Sequence, residues 1–345
     1  MATSEEAQVL IVGAGATGLL IAQGLKKAGI QATVCERESE QSYHEKPGWW
    51  NMALHWALPN VEACLPREVF SNLKQAESDP WTEYPEELAR SIPMINGRTG
   101  QVLTHVKADG PKRVVRGRLR DLFKTGIDVK YGMDLSGLHV DGNTVVASFN
   151  NGTEIQKASY VVGCDGVGDV PDPQKPETWK WQASLSIWLE DIPSTPEARM
   201  QAFKHYGSNY CEPFRSLKRE HRSPKMDFMS LSNSISAKFC DWRNIRPWAQ
   251  LDGRVTIAGD AAHPMVPFRA QGLNNALEDA GRYVGAIRQV LIEGGDRSEI
   301  MAKYNDDVYQ RGKEAIETSA DQMYACHNWD TLMDSPLFKK GFTNT

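Results

Sequence analysis

Apolar positions along this chain follow two rhythms, and the switches between them outline its elements. Val9–Val12 is an unbroken apolar run that stops at Gly13, which predicts a buried parallel strand. Within Ala16–Ala28 the residues Leu19, Leu20, Ala22 and Leu25 recur at helical spacing, and Gly29 supplies a stop. Gln31–Glu36 is β-branched and ends on a carboxylate, as a second strand would. Strand, helix and strand within about 30 residues make one βαβ unit.

Residues 40–115 keep no steady rhythm and are rich in Trp and Pro, with helical pieces predicted over Trp56–Cys64 and Pro66–Ala76. Arg118–Lys124 predicts a short helix. From Val129 to Cys164 the pattern turns to β: Leu138–Val140, Val145–Phe149 and Tyr160–Val162 flank Asp141-Gly142 and Asn151-Gly152. Those dipeptides are strong hairpin signals, so an antiparallel meander is predicted. Three prolines within Pro171–Pro176 mark a boundary, and Trp179–Leu189 alternates as a strand should. Ser194-Thr195-Pro196-Glu197 offers a capping box for a helix reaching about Tyr206. Arg254–Ala258 predicts another buried strand, and long helices are predicted over Leu273–Ile292 and Ser298–His327.

Composition narrows the class. The 345 residues are 41% apolar and 24% charged, ordinary for a soluble protein with one large domain or two intimate ones. A formal charge of −5 argues against an electrostatically driven nucleic-acid binder, and the basic stretch Lys107–Arg120 is too short to change that. Ala7–Leu25 carries no charge, but glycines and polar residues interrupt it, so no membrane span is expected. The polar start MATSEEAQ does not read as a signal peptide. Six scattered cysteines show neither C-x-x-C pairs nor metal-ligand spacing, and reduced thiols in a cytoplasmic protein are the expectation. No metal site is expected.

The candidate chemistry lies in three separated motifs. Gly13-x-Gly15-x-x-Gly18 follows a strand and opens a helix, where glycines permit a tight turn, backbone approach to a pyrophosphate and close helix packing. Glu36, at the end of the second strand, can accept hydrogen bonds from a ribose diol. Gly259-Asp260-Ala261-Ala262-His263-Pro264 follows another strand and precedes Pro267 and Gln271-Gly272-Leu273-Asn274, which open a helix. A carboxylate there can bind ribityl hydroxyls, and the helix N-terminus can stabilise negative charge on a flavin ring. A plain NAD dehydrogenase would leave this second segment without a role.

Together with Cys164-Asp165-Gly166, these motifs form an ordered triple that resembles the class A FAD-dependent monooxygenases, whose fold is that of p-hydroxybenzoate hydroxylase. Further stretches resemble fungal secondary-metabolite members: Gly48–Asn51, His55–Pro59, Lys175–Trp179, Glu212–Arg215 and Ser335–Lys340. The resemblance spans nearly the whole chain. It implies an α/β fold in which a Rossmann-type FAD-binding domain (residues 1–170 and 245–345) carries a reduced β-sheet substrate-binding domain (171–244) and C-terminal helices. FAD would be held by Gly13, Ala14, Gly15, Ala16, Thr17, Gly18, Glu36, Arg37, Asp165, Gly166, Gly259 and Asp260, with Arg116 neutralising the pyrophosphate. Pro267, Gly272, Leu273 and Asn274 would line the isoalloxazine. Asp165 would also meet NADPH transiently. His263 is given no catalytic role, and Trp50, His55 and Tyr210 are substrate-pocket candidates.

The activity so implied is oxidation of NADPH and transfer of one oxygen atom from a flavin C4a-hydroperoxide to an aromatic, polyketide or alkaloid-like small molecule. Two departures bear on it. Only 95 positions separate Asp165 from Asp260, which shortens the substrate sheet. Ala270 stands where the family commonly has glycine, and because alanine resists positive φ the loop beside the flavin is expected to take another path. A wetter site would favour a second reading, a flavin-binding member that no longer oxygenates.

Overall fold

One strand organises the molecule. In the computed structural model, which describes residues 7–45, 51–83, 90–108, 112–166, 195–211, 243 and 245–342, the ten-residue strand Glu154–Gly163 is shared by two kinds of pairing. In chain order the strands are β1 (Ala7–Val12), β2 (Ala32–Cys35), β3 (Asn51–Leu54), β4 (Ser91–Ile95), β5 (Val102–Lys107), β6 (Lys112–Val115), β7 (Val129–Lys130), β8 (Leu135–Asp141), β9 (Thr144–Phe149), β10 (Glu154–Gly163) and β11 (Val255–Ile257). The helices used below are α1 (Ala16–Lys27), α2 (Leu58–Cys64), α3 (Arg116–Lys124), α4 (Pro196–Gly207), α5 (Gly272–Leu291), α6 (Arg297–Cys326) and α7 (Pro336–Lys340).

The first half of β10 pairs antiparallel with β9, and its second half runs parallel to β1 and β11. The sheet order is β7-β2-β1-β10-β9-β8, with β11 also on β10. The predicted βαβ unit and meander are therefore halves of one seven-stranded sheet. Parallel pairing sends the C-terminal ends of β1, β2, β10 and β11 to the same edge. In open α/β sheets that edge is where ligands bind, and it is where the three motifs fall.

The core lies between this sheet and helices α1, α3 and α5. Leu19, Leu20, Leu25, Leu119, Phe123, Leu277, Tyr283 and Ile287 are fully buried together. Each such side chain contributes about 1.5–3 kcal/mol by leaving water. Gln23 of α1 ties the helices by donating to the carbonyls of Phe123 and Thr125, at 2.8 Å each.

Some expectations shift. The helix predicted over Pro66–Ala76 divides into Arg67–Phe70 and a tighter turn at Leu73–Ala76. Ser71 and Asn72 both donate side-chain hydrogen bonds to the Glu68 carbonyl, drawing the backbone out of regular helix. The α4 cap is Thr195, whose hydroxyl accepts from the Ala198 N–H at 3.2 Å. The β3–β6 pair and the β4–β5 hairpin occupy the stretch that shows no rhythm. The strand expected over Trp179–Leu189 lies outside the described residues. Among the described residues, no helix is long and apolar enough to cross a membrane, and no group of His, Cys, Asp and Glu could hold a metal.

Candidate functional site

The three motifs interlock through their glycines. Gly13 has φ +104°, and a Cβ there would lie 2.5 Å from the Cys164 carbonyl oxygen and 2.8 Å from the Asp165 Cα. The first motif thus sits directly on the second. Gly259 has φ +65°, and a Cβ there would lie 2.7 Å from the Thr17 hydroxyl oxygen, so the third motif sits on the first turn of α1. Gly15 differs. The one atom a Cβ would meet within 4 Å is the Cys164 carbonyl oxygen at 3.9 Å. Protein packing explains glycine at 13 and 259 but not at 15, where the backbone borders open space beside the N-terminus of α1. Such a spot suits a phosphate.

The carboxylates surround this space differently. Glu36 is buried, its two oxygens accepting from the N–H groups of Ala14 (2.8 Å) and Glu38 (3.1 Å). Carboxylate oxygens keep further acceptor capacity, so a ribose diol can still bond to it. The Tyr43 hydroxyl donates to the Ala14 carbonyl (2.7 Å), and the Arg120 guanidinium lies 3.9 Å over the Tyr43 ring. Asp165 and Gly166 are exposed where β10 ends, and Arg37 is exposed where β2 ends. Asp260 is solvent-exposed, although protein packs densely around it. That surrounding protein pushes its carboxyl above the usual range, against the opposing charges of His263 and of Arg116. Arg116 is exposed at the start of α3, within electrostatic reach of Asp260. A Cβ on Gly272, the first residue of α5, would stand 3.9 Å from Oδ1 of Asp260.

Two residues with no marking in the motifs hold the third one in place. Asp279 of α5 is fully buried and accepts from the Gly259 N–H (2.9 Å), from His263 Nε2 (2.6 Å) and from Arg311 of α6 (2.8 Å). Burial alone would raise the Asp279 carboxyl, but His263, Arg311 and the Gly259 N–H together hold it below its usual range. Burial likewise works to lower His263, and the Asp279 carboxylate outweighs it, lifting the imidazole above its usual range. His263 is fully buried. Buried Asn275 and Glu278 flank Asp279 on the same helix, so the sequence held no signal that set this carboxylate apart.

Other candidates fall in several places. The Thr17 side chain packs against Gly259. Ala14 is buried, Ala16 half-buried, and Gly18 packs on the Gly13 carbonyl. Pro267 is exposed and Leu273 is half-buried against the core. Asn274 does not offer its side chain to the cleft. It is fully buried, accepting from the His55 N–H (2.7 Å) and donating to the Ala53 carbonyl (2.9 Å). It thereby fixes β3 to the start of α5. His55 stacks on Phe342 with ring centroids 5.2 Å apart and planes at 12°. Tyr210 packs its ring on Gly97 in the β4–β5 turn, and Trp50 lies outside the described residues. Ala270 adopts φ +52°, ψ +36°, the left-handed conformation that alanine resists and that favours glycine.

Known proteins resemble this chain in sequence and in fold. Residues 6–52 and 231–319 match the family described as FAD binding domain. The FAD-dependent monooxygenase phnB of Penicillium herquei is 29% identical, over 99% of this chain and 96% of its own length. The FAD-dependent monooxygenase cctM of Talaromyces islandicus is also 29% identical, over 97% of this chain and 96% of its own. The first alignment spans 410 positions, more than this chain's 345 residues, so that relative contains segments lacking here. In fold, the chain superposes on Klebsiella pneumoniae HpxO complexed with FAD and uric acid with a TM-score of 0.69 at 15% identity, over 97% of this chain and 92% of that one. A salicylate hydroxylase substrate complex gives 0.67 at 15% identity, over 97% and 94%.

Proposed function

We propose that this chain, by sequence and fold a member of the FAD-dependent monooxygenases, holds FAD at the edge shared by its three motifs and places one oxygen atom on a small molecule. The observation that carries the reading is the interlock of Gly13 with Cys164–Asp165 and of Gly259 with Thr17, around a Gly15 that faces open space. Three distant segments are locked to each other, and Gly15, which packing does not require to be glycine, borders the space between them.

In this reading Gly15 and the α1 N-terminus receive the pyrophosphate, with Arg116 as counter-charge. Glu36, held in place by Ala14 and Glu38, accepts the adenosine ribose hydroxyls. Asp260 accepts the ribityl hydroxyls, and the α5 N-terminus supports negative charge on the ring. Asp165 meets both FAD and NADPH. When bound, the flavin supplies reduction by NADPH and activation of oxygen, and the protein supplies orientation and exclusion of water. Residues 1–170 and 245–345 form the cofactor domain, residues 171–244 the reduced substrate domain, and the enzyme is cytoplasmic. The substrate is an aromatic, polyketide or alkaloid-like molecule.

The test is oxygen transfer. Purified protein should be yellow, oxidise NADPH faster with a substrate, and incorporate label from heavy oxygen gas into product. The second reading is a flavin-binding member that no longer oxygenates. Peroxide release without labelled product, across a panel of phenols and polyketides, would select it.

A further inference from the structure

Sequence motifs leave unused the segment that follows α6, and the structure puts it at the mouth of the cleft. Ser335 is buried, and the N–H of Leu337, in α7, donates to Gln322 of α6 at 2.7 Å. Gly341 has φ +71°, and a Cβ there would lie 2.7 Å from the Lys107 carbonyl oxygen, so a side chain is excluded. The Phe342 N–H then donates to that same carbonyl at 3.0 Å. Residues 335–342 are thus strapped from α6 across to the end of β5. Their last contact is the stack of Phe342 on His55.

Gln271 links this strap to the cofactor site. It caps α5, the helix whose N-terminus faces the flavin in the proposed function. The side chain is buried, and both ends of its amide are engaged. Its Oε1 accepts from the Trp56 indole N–H at 2.8 Å, and its Nε2 donates to the Phe342 carbonyl at 3.3 Å. Asn274, one turn further, holds the His55 N–H from the other side. A buried amide with each polar atom committed is a rigid joint. It fixes the indole of Trp56 and the backbone of Phe342 relative to the first turn of α5. Phe342 remains partly exposed despite its stack on His55.

We propose that Phe342 is a pocket residue: with His55 and Trp56 it forms an aromatic wall at the ring end of the cleft, held there by Gln271, and it keeps water from the flavin ring. This rests on the flavin reading of the cleft. A chain lacking segments that its relatives possess has the more need of such a wall. The wall also suits a planar, aromatic substrate, since flat rings stack on flat rings.

The test uses the FAD-loaded protein and needs no substrate. Phe342→Ala should keep FAD affinity within a few-fold of wild type. Iodide quenching of the bound flavin should rise several-fold, and the resolved shoulder of its visible band should flatten as water enters. Gln271→Ala should do the same to a smaller extent, and Phe342→Tyr should restore wild-type values. Phe342→Leu keeps the apolar volume and serves should the alanine variant fail to fold; it should fall between the two. Yellow, folded Phe342→Ala or Phe342→Leu protein with wild-type quenching and spectrum would overturn the proposal while leaving the flavin reading intact. A wild type that binds no FAD would overturn both.

Discussion

Nε2 of His263 lies 2.6 Å from Oδ2 of Asp279, with both side chains fully buried, and the same carboxylate oxygen receives the Gly259 N–H. One buried oxygen therefore holds both ends of the turn that presents Asp260. Asp279→Ala would leave His263 and Arg311 without their shared counter-charge inside the protein. Breaking such a pair costs about 3–5 kcal/mol. Denaturant unfolding should show that loss, and flavin titration should show weakened FAD binding. Asp279→Asn keeps one carbonyl acceptor and should lie between. A stable Asp279→Ala protein with wild-type FAD affinity would contradict the role.

The same pair sets a pH dependence. His263 is raised above 6.5, so its contribution is complete below that pH and fades as pH climbs through the raised folded value. Asp279 is lowered below 3.8, so its contribution is complete above that pH and fades as acid reaches the lowered value. The ion pair is at full strength between those two ordinary values. Melting temperatures of wild type and His263→Gln should therefore differ most from about pH 4 to pH 6.5. The gap should close toward alkaline pH. A gap constant from pH 5 to pH 9 would mean that His263 titrates alike in the folded and the unfolded protein and is not raised.

Gly312→Ala should reverse the usual helix rule. A glycine inside a helix is normally about 1 kcal/mol worse than alanine. Gly312 sits within α6, yet an added Cβ would lie 2.7 Å from both Cβ and Cδ2 of His263. Overpacking against a ring held by Asp279 costs about 1–3 kcal/mol. A lower melting temperature and weaker FAD retention are expected. A gain in stability would show that the ring can move aside.

These three residues also mark the limit of what the sequence disclosed. The βαβ unit, the meander, α5 and α6 were legible because their apolar periods are long and their turns carry glycine. The motifs disclosed Gly13, Asp165 and Asp260 because close backbone approach and strand ends restrict the residue type. Asp279, Arg311 and Gly312 stand inside regular helices, where a polar or small residue looks like any other until the partner helix is in place. Asn274 was assigned to the cleft by its neighbours, but its amide is spent on β3. The β4–β5 hairpin was missed because its burial scarcely alternates, with Val106 and little else in the strands reaching the core.

Ala270→Gly should stabilise the protein. Ala270 holds φ +52°, which costs an L-residue about 1–2 kcal/mol. Glycine removes that strain but gives the unfolded chain more freedom, worth about 0.4–1 kcal/mol in the other direction. The net gain should be about 0.5–1 kcal/mol, readable as a small rise in melting temperature. Equal or lower stability would mean that the surrounding loop relaxes the alanine at no cost.

Gly13 and Gly15 offer the sharpest separation of fold from ligand. Alanine at 13 would be driven into the Cys164 carbonyl with φ +104°, so the β1–α1 turn itself must shift, and stability should fall by about 3 kcal/mol or more. Alanine at 15 meets one atom at 3.9 Å, and the residue already has extended backbone angles open to any side chain, φ −76° and ψ −178°. The ligand-free Gly15→Ala protein should therefore unfold within about 0.5 kcal/mol of wild type. Its new methyl group would stand where a pyrophosphate must approach the backbone. FAD affinity should drop about tenfold or more, equal to about 1.4 kcal/mol. If Gly15→Ala bound FAD as tightly as wild type, the open space beside Gly15 would not be the phosphate site, and the cofactor would have to lie elsewhere along the sheet edge.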